Sequence, residues 1–273
     1  MLRKNRIVLF ITLFSLTFFI FSSSTILASI LTLETEAEAK SIVSASYIYH
    51  GEKISGIQIK EATNEQFLLN ETNPIYLTFD DGPTNHTMAI LDILANYEIP
   101  STFFMLSTNI KKKPEIVKAI AESGHTLGCH GVTHQVSAFY ANPTSPLEEM
   151  EACEREIQNI TGEEVHMVRV PFGSFPHLSQ VQKTALENAQ FTLWDWNVDS
   201  MDWKVASANE MVETVLHQVN SLKEKEITPV LLFHDKSITV DALPKIIEGL
   251  QGGGYEFLSI TPDDKPLQFK LKK

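Results

Sequence analysis

Two histidines four residues apart, His130 and His134, form the pattern in this sequence most typical of a metal site. On a helical turn, residues at this spacing share one face, so both imidazoles can bind the same ion. The chain has nine histidines, so such a pair also arises by chance, with one histidine capped or in the core and one on the surface. A nearby carboxylate would complete the two imidazoles and one acid of a catalytic zinc site.

Asp80 and Asp81 offer that carboxylate. They follow the apolar run Ile75–Phe79 and precede a Gly-Pro turn. Neighbouring side chains at a strand end point in opposite directions, so one acid can face a metal while the other faces the substrate as a base. Asp-Asp-Gly-Pro is also typical of a plain surface turn. Its place directly after an apolar run favours the functional interpretation.

Other polar and aromatic side chains also lie in or near apolar runs. Arg169 must be paired or solvated there, either with a carboxylate such as Asp80 or in a purely structural salt bridge. His234 is either a buried, hydrogen-bonded core histidine or, with its pKa held up by a neighbouring aspartate, an acid near neutral pH. Three tryptophans cluster around one strand, either as core residues or with one of them stacked on a sugar ring: Trp194, Trp196 and Trp203.

The elements that position these residues alternate along the chain. From residue 75 onward, apolar runs of strand length alternate with segments of helical period. The predicted strands are Ile75–Phe79, Thr102–Leu106, His125–Cys129, Val165–Val170, Phe191–Trp196, Pro229–Phe233 and Tyr255–Ile260. The predicted helices are Met88–Tyr97, Pro114–Ser123, Leu147–Ile160, Ser179–Ala189, Ala208–Leu222 and Ala242–Leu250.

This alternation predicts an α/β fold in which helices cover a parallel sheet. A closed or nearly closed βα barrel is the first choice, and an open doubly wound sheet is the second. In a barrel all strand C-termini open on one face, where active sites are built. Five unconnected segments would therefore bring their aspartates, histidines and arginine to one rim. Glycine-rich phosphate loops follow none of the strands, which argues against nucleotide binding.

The composition is that of a soluble globular protein with an acidic surface. The chain is 43% hydrophobic and 21% charged, which argues against a disordered, fibrous or multi-span membrane protein. Its formal net charge of −12 should repel nucleic acid, which binds basic patches. Cys129 and Cys153 are too few for a disulfide scaffold or a cysteine-rich zinc module. We expect two free thiols, with one bridge as the alternative in an oxidising compartment.

The N-terminus is predicted to direct export. Three basic residues among the first six precede an apolar stretch, which is typical of a signal peptide, and residues 7–31 are also long enough for a membrane anchor. We therefore expect residues 1–33 to be a signal peptide or anchor, and the protein to be extracellular or in the cell envelope. Residues 34–72 are predicted to be a connector and a small lead-in, with short strands at Ser46–His50 and Gly56–Ile59.

Five motifs spread along this alternating pattern carry the candidate residues. They are Thr78–Pro83 (TFDDGP), His130–His134 (HGVTH), Arg169–Gly173 (RVPFG), Asp199–Trp203 (DSMDW) and Leu232–Asp235 (LFHD). In type and in order they resemble the motifs of the NodB-homology polysaccharide deacetylases, carbohydrate esterase family 4. The resemblance covers about residues 75–260. It implies a distorted (β/α) barrel with about seven parallel strands, and metal-dependent removal of acetyl groups from N-acetylated sugars.

The resemblance also implies which residues perform the chemistry. Asp81, His130 and His134 would hold a divalent ion, with zinc expected and cobalt or another divalent metal as the alternative. Asp80 would be the general base that takes a proton from water, and His234 would be the general acid that protonates the leaving nitrogen.

Five further residues receive supporting roles from the same resemblance. Arg169 would orient the base, and Asp199 would tune the acid. Trp203 and Leu232 would shape the acetyl pocket, and Phe172 would contribute to substrate binding, with backbone N–H groups beside it facing the oxyanion.

Two positions depart from the family's pattern. Gly131 stands where Ser or Thr usually follows the first histidine of the second motif. The missing hydroxyl is expected to loosen the ligand loop while metal binding survives. Val170 stands where Pro or a bulkier residue is frequent, and is expected to alter the substrate groove.

The implied reaction is hydrolysis of the N-acetyl group of GlcNAc residues in a cell-envelope or extracellular polysaccharide, with peptidoglycan favoured over chitin-like polymers and exopolysaccharides. One alternative is a non-catalytic glycan-binding or wall protein on the same fold. Another is a metal-dependent hydrolase of a different amide or of an O-acetyl ester. We expect a monomer without a nucleic-acid partner, whose catalytic domain spans residues 73–264 and is followed by a basic tail at residues 265–273.

Overall fold

The computed structural model describes residues 47–49, 52–54 and 73–271. In the first two ranges, β1 (Tyr47–Tyr49) and β2 (Glu52–Ile54) form an antiparallel pair. β1 falls within the predicted strand Ser46–His50, whereas the predicted strand Gly56–Ile59 and the predicted signal peptide or anchor lie outside the described residues. Of the helices in the described ranges, none is long and apolar enough to cross a membrane.

Residues 73–271 form a curled, parallel sheet with helices, the distorted (β/α) barrel that was predicted. Its strands are β3 (Asn73–Asp80), β4 (Thr102–Met105), β5 (Thr126–Cys129), β6 (Met167–Val168), β7 (Thr192–Leu193), β8 (Val198–Asp199), β9 (Val230–His234) and β10 (Tyr255–Leu258). Seven of them follow the order β7-β6-β5-β4-β3-β9-β8, and β10 pairs with the first half of β3. β7 and β8 are the two ends of that order, so the barrel is open between them. The predicted strand Phe191–Trp196 corresponds to the shorter β7, and the two-residue strand β8 lies outside the predicted strands.

The strand register brings the ends of several strands to one level. Asp80, the last residue of β3, is the register partner of His234, the last residue of β9. Cys129 at the end of β5 is the partner of Val168 in β6, so the residues that follow both strands start side by side. The motifs that follow these strands therefore meet at the C-terminal edge of the sheet.

Within residues 73–271 the helices are α1 (Thr87–Asn96), α2 (Ser107–Ile110), α3 (Pro114–Glu122), α4 (Val136–Phe139), α5 (Ser145–Thr161), α6 (Gln180–Asn188), α7 (Ala208–Lys223) and α8 (Ser237–Gly252). Local sequence determines several of their ends. α3 starts with Pro114, α6 has a capping box between Ser179 and Gln182, and α5 stops at Gly162 with φ 79°. The six predicted helices are all present. α2 and α4 were not predicted, because a single turn is too short to show helical periodicity.

Aromatic side chains form the centre of the core between the strands and the helices. Phe79 of β3 lies between Phe103 of β4 and Phe233 of β9, with ring centroids 4.9 Å and 5.5 Å away. Cys129 and Cys153 are buried in the same core as free thiols, which is the expected state. Because this core is closely packed, the strand ends that carry the polar motifs are fixed relative to one another.

The C-terminal residues of the described chain contact the open edge of the sheet. The backbone N–H of Asp195 donates to Leu267 O (2.8 Å), and the N–H of Phe269 donates to Asp195 Oδ2 (2.7 Å). Phe269 also packs on Trp196, with ring centroids 5.2 Å apart. As far as residue 271, the predicted basic tail is therefore part of the barrel domain. The two hydrogen bonds above are made by the backbone of this segment. They therefore require no periodic pattern of side chains from which the contact could be predicted.

Candidate metal centre and active site

A cavity of about 500 Å³ opens at the C-terminal edge of the sheet. Nine of the ten predicted site residues line it: Asp80, Asp81, His130, His134, Phe172, Asp199, Trp203, Leu232 and His234. The tenth, Arg169, is fully buried beside Asp80. Trp196 and Lys236 also line the cavity and were not predicted as site residues. The convergence of separate motifs that the strand pattern predicts is therefore present in the fold.

Asp81, His130 and His134 form the candidate metal centre. Asp81 Oδ1 lies 3.5 Å from His130 Nε2 and 3.3 Å from His134 Nε2, and one ligand atom from each residue lies within 4.8 Å of the others. Asp81 Oδ1 is buried and has no hydrogen-bond partner among the described residues. A buried acceptor without a donor requires an explanation. A divalent cation held by this oxygen and the two imidazole nitrogens would supply it.

Contacts behind the imidazoles prepare them as ligands. His130 Nδ1 lies 2.6 Å from the carbonyl oxygen of Arg169. Because a carbonyl only accepts hydrogen bonds, Nδ1 is the donor in this contact, and Nε2 is the ring nitrogen that faces Asp81. Burial, together with the charges of His130 and His234, lowers the pKa of His134 despite the opposing charge of Asp81. The His134 ring is therefore neutral at neutral pH, as a metal ligand must be.

Left-handed backbone conformations aim three of the cavity residues. Asp81 has φ 69°, His134 has φ 48° and Phe172 has φ 66°. Such conformations cost of order 1–3 kcal/mol each for residues other than glycine, and they cluster at functional sites. The Asp81 turn is held by Asn109, whose Nδ2 donates to Asp81 O at 2.8 Å.

Asp80 is held by Arg169 in a buried ion pair. Arg169 Nη1 lies 3.0 Å from Asp80 Oδ1, and Arg169 also donates to Thr78 Oγ1 at 2.6 Å and to Asp195 O at 3.0 Å. These bonds fix the guanidinium beside the Asp80 carboxylate, and the role of Arg169 in orienting a base stays a prediction. The other oxygen, Asp80 Oδ2, lies 3.8 Å from His130 Nε2, on the side of the candidate metal centre.

The carboxylate that pairs with His234 is Asp202, and the expectation that Asp199 tunes His234 is corrected. Asp202 Oδ1 lies 2.7 Å from His234 Nδ1, and Asp202 Oδ2 accepts from the His234 backbone N–H at 2.6 Å. Asp199 instead accepts from the backbone N–H of Met201 at 2.8 Å. Asp199 lies at the end of β8, and the turn that follows carries Asp202 to His234. The two aspartates are only three residues apart, and the sequence alone does not indicate which of them pairs with His234.

This pairing adjusts the acidity of both groups. Burial alone would lower the pKa of His234, but the hydrogen bond and charge of Asp202, with the charges of Asp80 and Asp81, outweigh it and raise that pKa above its usual value. Burial would raise the pKa of Asp202, but the bonds and charge of His234, with the charge of Lys236, lower it. Lys236 Nζ lies 3.3 Å from Asp202 Oδ1. The pair therefore holds a proton on His234 near neutral pH.

The cavity walls are aromatic and apolar. Phe172 and Trp203 are 49% and 58% exposed at the cavity, whereas Leu232 is buried in its wall. Large exposed aromatic rings beside a polar site can stack on sugar rings. Val170 is fully buried in the core and does not line the cavity. The expectation that Val170 alters the groove is therefore wrong.

The backbone conformation and the surroundings of Gly131 favour glycine over a larger residue. It has φ 93°, a conformation that favours glycine, and a Cβ there would lie 2.8 Å from Phe139 Cε2. A serine or threonine does not fit this loop without a shift of Phe139. Both histidines lie beside Asp81 with glycine at this position, and the expected loosening of the loop stays a prediction.

The model of the polysaccharide deacetylase family matches residues 70–193. YheN of Bacillus subtilis, provisionally named a polysaccharide deacetylase, is 42% identical over 201 residues, which are 73% of this chain and 70% of YheN. A Bacillus cereus protein named peptidoglycan-N-acetylglucosamine deacetylase is 34% identical over 208 residues, 74% of each chain. The crystal structure of the polysaccharide deacetylase Bc1974 from Bacillus cereus matches with a TM-score of 0.67 and 32% identity, over 72% of this chain and 97% of that one. With the fold and the five motifs, these similarities show that the chain belongs to the NodB-homology polysaccharide deacetylases of carbohydrate esterase family 4.

Proposed function

We propose that this chain hydrolyses the N-acetyl group of GlcNAc residues in a cell-envelope or extracellular polysaccharide and releases acetate, with the help of a divalent ion. The observation that carries the proposal is the grouping of Asp80, Asp81, His130, His134 and His234 around one cavity. Amide hydrolysis needs a nucleophile, stabilisation of the oxyanion and protonation of a poor amine leaving group. Each of these needs has a candidate residue in the cavity.

Asp81, His130 and His134 would hold the ion, and zinc is the metal that we expect for two imidazoles and one carboxylate. When bound, a divalent ion lowers the pKa of a water molecule and polarises the acetyl carbonyl. Asp80 would take the proton from the attacking water. Its position supports this role, because Arg169 fixes one of its oxygens and the other lies 3.8 Å from His130 Nε2, one of the candidate ligand atoms.

His234 would protonate the departing nitrogen. Its Nδ1 is held by Asp202, and its Nε2 lies 4.0 Å from Asp81 Oδ2, on the cavity side. The raised pKa keeps the acid form populated near neutral pH. The backbone N–H groups that follow Pro171 would add to the oxyanion site.

Peptidoglycan is the substrate that we favour. The relative from Bacillus cereus named for peptidoglycan supports this choice, as do the exposed rings of Phe172 and Trp203, which suit a sugar polymer. The product is a cationic amine, which a chain of net charge −12 would not repel. Export, a possible N-terminal anchor and a monomeric state stay predictions from the sequence.

Acetate release by the purified, zinc-loaded full-length chain tests the proposal. The substrates are peptidoglycan, chitin oligomers, an acetylated exopolysaccharide and an aryl acetate. We expect acetate from N-acetylated glycans, fastest from peptidoglycan, and none after a chelator or with Asp80→Asn. Zinc-loaded protein that releases no acetate from any N-acetylated glycan would refute the proposal. Glycan binding that Asp80→Asn leaves unchanged, without turnover, would indicate a non-catalytic protein, and turnover of the aryl acetate alone would indicate an esterase.

A further inference from the structure

The loop between β5 and α4, residues 130–135, carries two of the three candidate metal ligands on an unusual backbone. Gly131 has φ 93° and His134 has φ 48°. Both values lie in the left-handed region, which a residue other than glycine adopts mainly when the surrounding structure holds it. The direction of the His134 ring therefore depends on contacts from outside the loop.

Glu149, in the second turn of α5, makes such contacts. Its Oε2 accepts hydrogen bonds from the backbone N–H groups of Val132 (2.8 Å) and Thr133 (3.0 Å). Its Oε1 accepts a third bond from Thr133 Oγ1 (2.8 Å). All three donors belong to residues between His130 and His134. Hydrogen bonds to a carboxylate are stronger than those between neutral groups, so this one side chain holds the middle of the ligand loop.

The packing of Gly131 shows why the contact comes from a distant helix. A Cβ on Gly131 would lie 2.8 Å from Phe139 Cε2 and 3.1 Å from Glu149 Oε2. The space that a side chain at position 131 would need is already taken by the Phe139 ring and the Glu149 carboxylate. A side chain at position 131 would therefore compete with both groups for this space, and the bonds to the loop amides come from Glu149.

We propose that Glu149 is a positioning residue of the metal centre, which sets the direction of His134 toward Asp81 before an ion binds. The inference rests on the proposed metal site. Glu149 acts through the loop, since its oxygens are bonded to Val132 and Thr133. Its loss should therefore weaken metal binding, and should change turnover much less when the metal is saturating.

Zinc affinity of the metal-free full-length chain tests this role, measured by competition with a chromogenic chelator. We expect Glu149→Ala to weaken zinc binding about 10–100-fold, the range typical of residues that orient metal ligands. Glu149→Gln keeps a carbonyl acceptor and should weaken binding less. The matched control is Glu151→Ala, which removes only a surface pair with Arg155 (3.8 Å) from the same helix and should change zinc affinity less than about twofold.

Thermal unfolding of the metal-free variants separates positioning from a merely structural role, which would lower stability and leave zinc affinity unchanged. A folded Glu149→Ala variant that binds zinc within twofold of the wild type would overturn the inference, whatever its stability. If that variant does not fold, Glu149→Gln carries the test, and wild-type zinc affinity in Glu149→Gln would overturn it. Wild-type protein that binds no zinc would instead refute the proposed metal site, and the inference with it.

Discussion

Replacing Arg169 with methionine should destabilise the metal-free protein by about 3–5 kcal/mol, because it leaves a buried carboxylate without its cation. Arg169 is 0% exposed and Asp80 is 2% exposed, and their side chains meet at 3.0 Å. Thr78 Oγ1 and the backbone oxygens of Trp194 and Asp195 lose a donor as well. For a domain of this size, such a loss lowers Tm by roughly 6–20 °C.

The charge of Asp80 accounts for most of this cost, so its removal should recover part of the stability. In the double variant Asp80→Asn/Arg169→Met, neither a buried carboxylate nor a buried cation remains. We expect it to be more stable than Arg169→Met by at least about 1 kcal/mol, within the coupling typical of side chains in contact. Arg155 offers a matched control, since it is an exposed arginine that lies 3.8 Å from Glu151. Arg155→Met should cost less than about 0.5 kcal/mol.

Urea denaturation in the presence of a chelator measures these differences. The chelator is needed because an ion beside Asp80 would itself offset the uncompensated charge. An Arg169→Met variant that loses no more stability than Arg155→Met would refute the importance of the buried ion pair. A double variant less stable than Arg169→Met would show that the destabilisation does not come from the carboxylate.

Three further predictions concern the acid, the ligand loop and the cavity wall. The raised pKa of His234 keeps the acid protonated to higher pH. Asp202→Asn removes the hydrogen-bond partner of His234, so it should move the alkaline limb of the kcat/KM profile to lower pH and lower kcat at least about tenfold. Asp199→Asn, the control, should leave that limb in place. Gly131→Ser should lower the free energy of unfolding by about 1–3 kcal/mol in urea denaturation, because φ at this position is 93° and Phe139 would lie 2.8 Å from the new Cβ. A serine variant as stable as the wild type would show that the side chain causes no strain. Trp203→Ala should raise KM for N-acetylated glycans more than it lowers kcat, and an unchanged KM would exclude Trp203 from sugar binding.

The candidate metal ligands and the candidate base could be placed from the sequence because each lies at or shortly after the C-terminal end of a strand in a parallel sheet. Asp80 and His234 are register partners at the ends of neighbouring strands, and His130 follows β5 directly. Strand order is not needed for this prediction, because all C-terminal ends of such a sheet face the same side. The apolar runs and the helical periods that set these ends are local properties of the chain.

The partner of His234 could not be predicted in this way. Asp199 and Asp202 have the same chemistry and lie in one short segment, and only the direction of the chain after the two-residue strand β8 decides between them. The contact of Glu149 was also beyond sequence patterns. Its bonds join residues 16 and 17 positions apart on a loop and a helix, and no spacing rule relates such elements.

A crystal structure of the zinc-loaded protein, with anomalous scattering measured at the zinc absorption edge, tests the central claim most directly. We predict one strong peak with His130 Nε2 and His134 Nε2 at about 2.0–2.1 Å and a carboxylate oxygen of Asp81 at about 2.0–2.2 Å. Zinc bound at another place on the chain, or no zinc between these three side chains, would contradict the proposed metal centre.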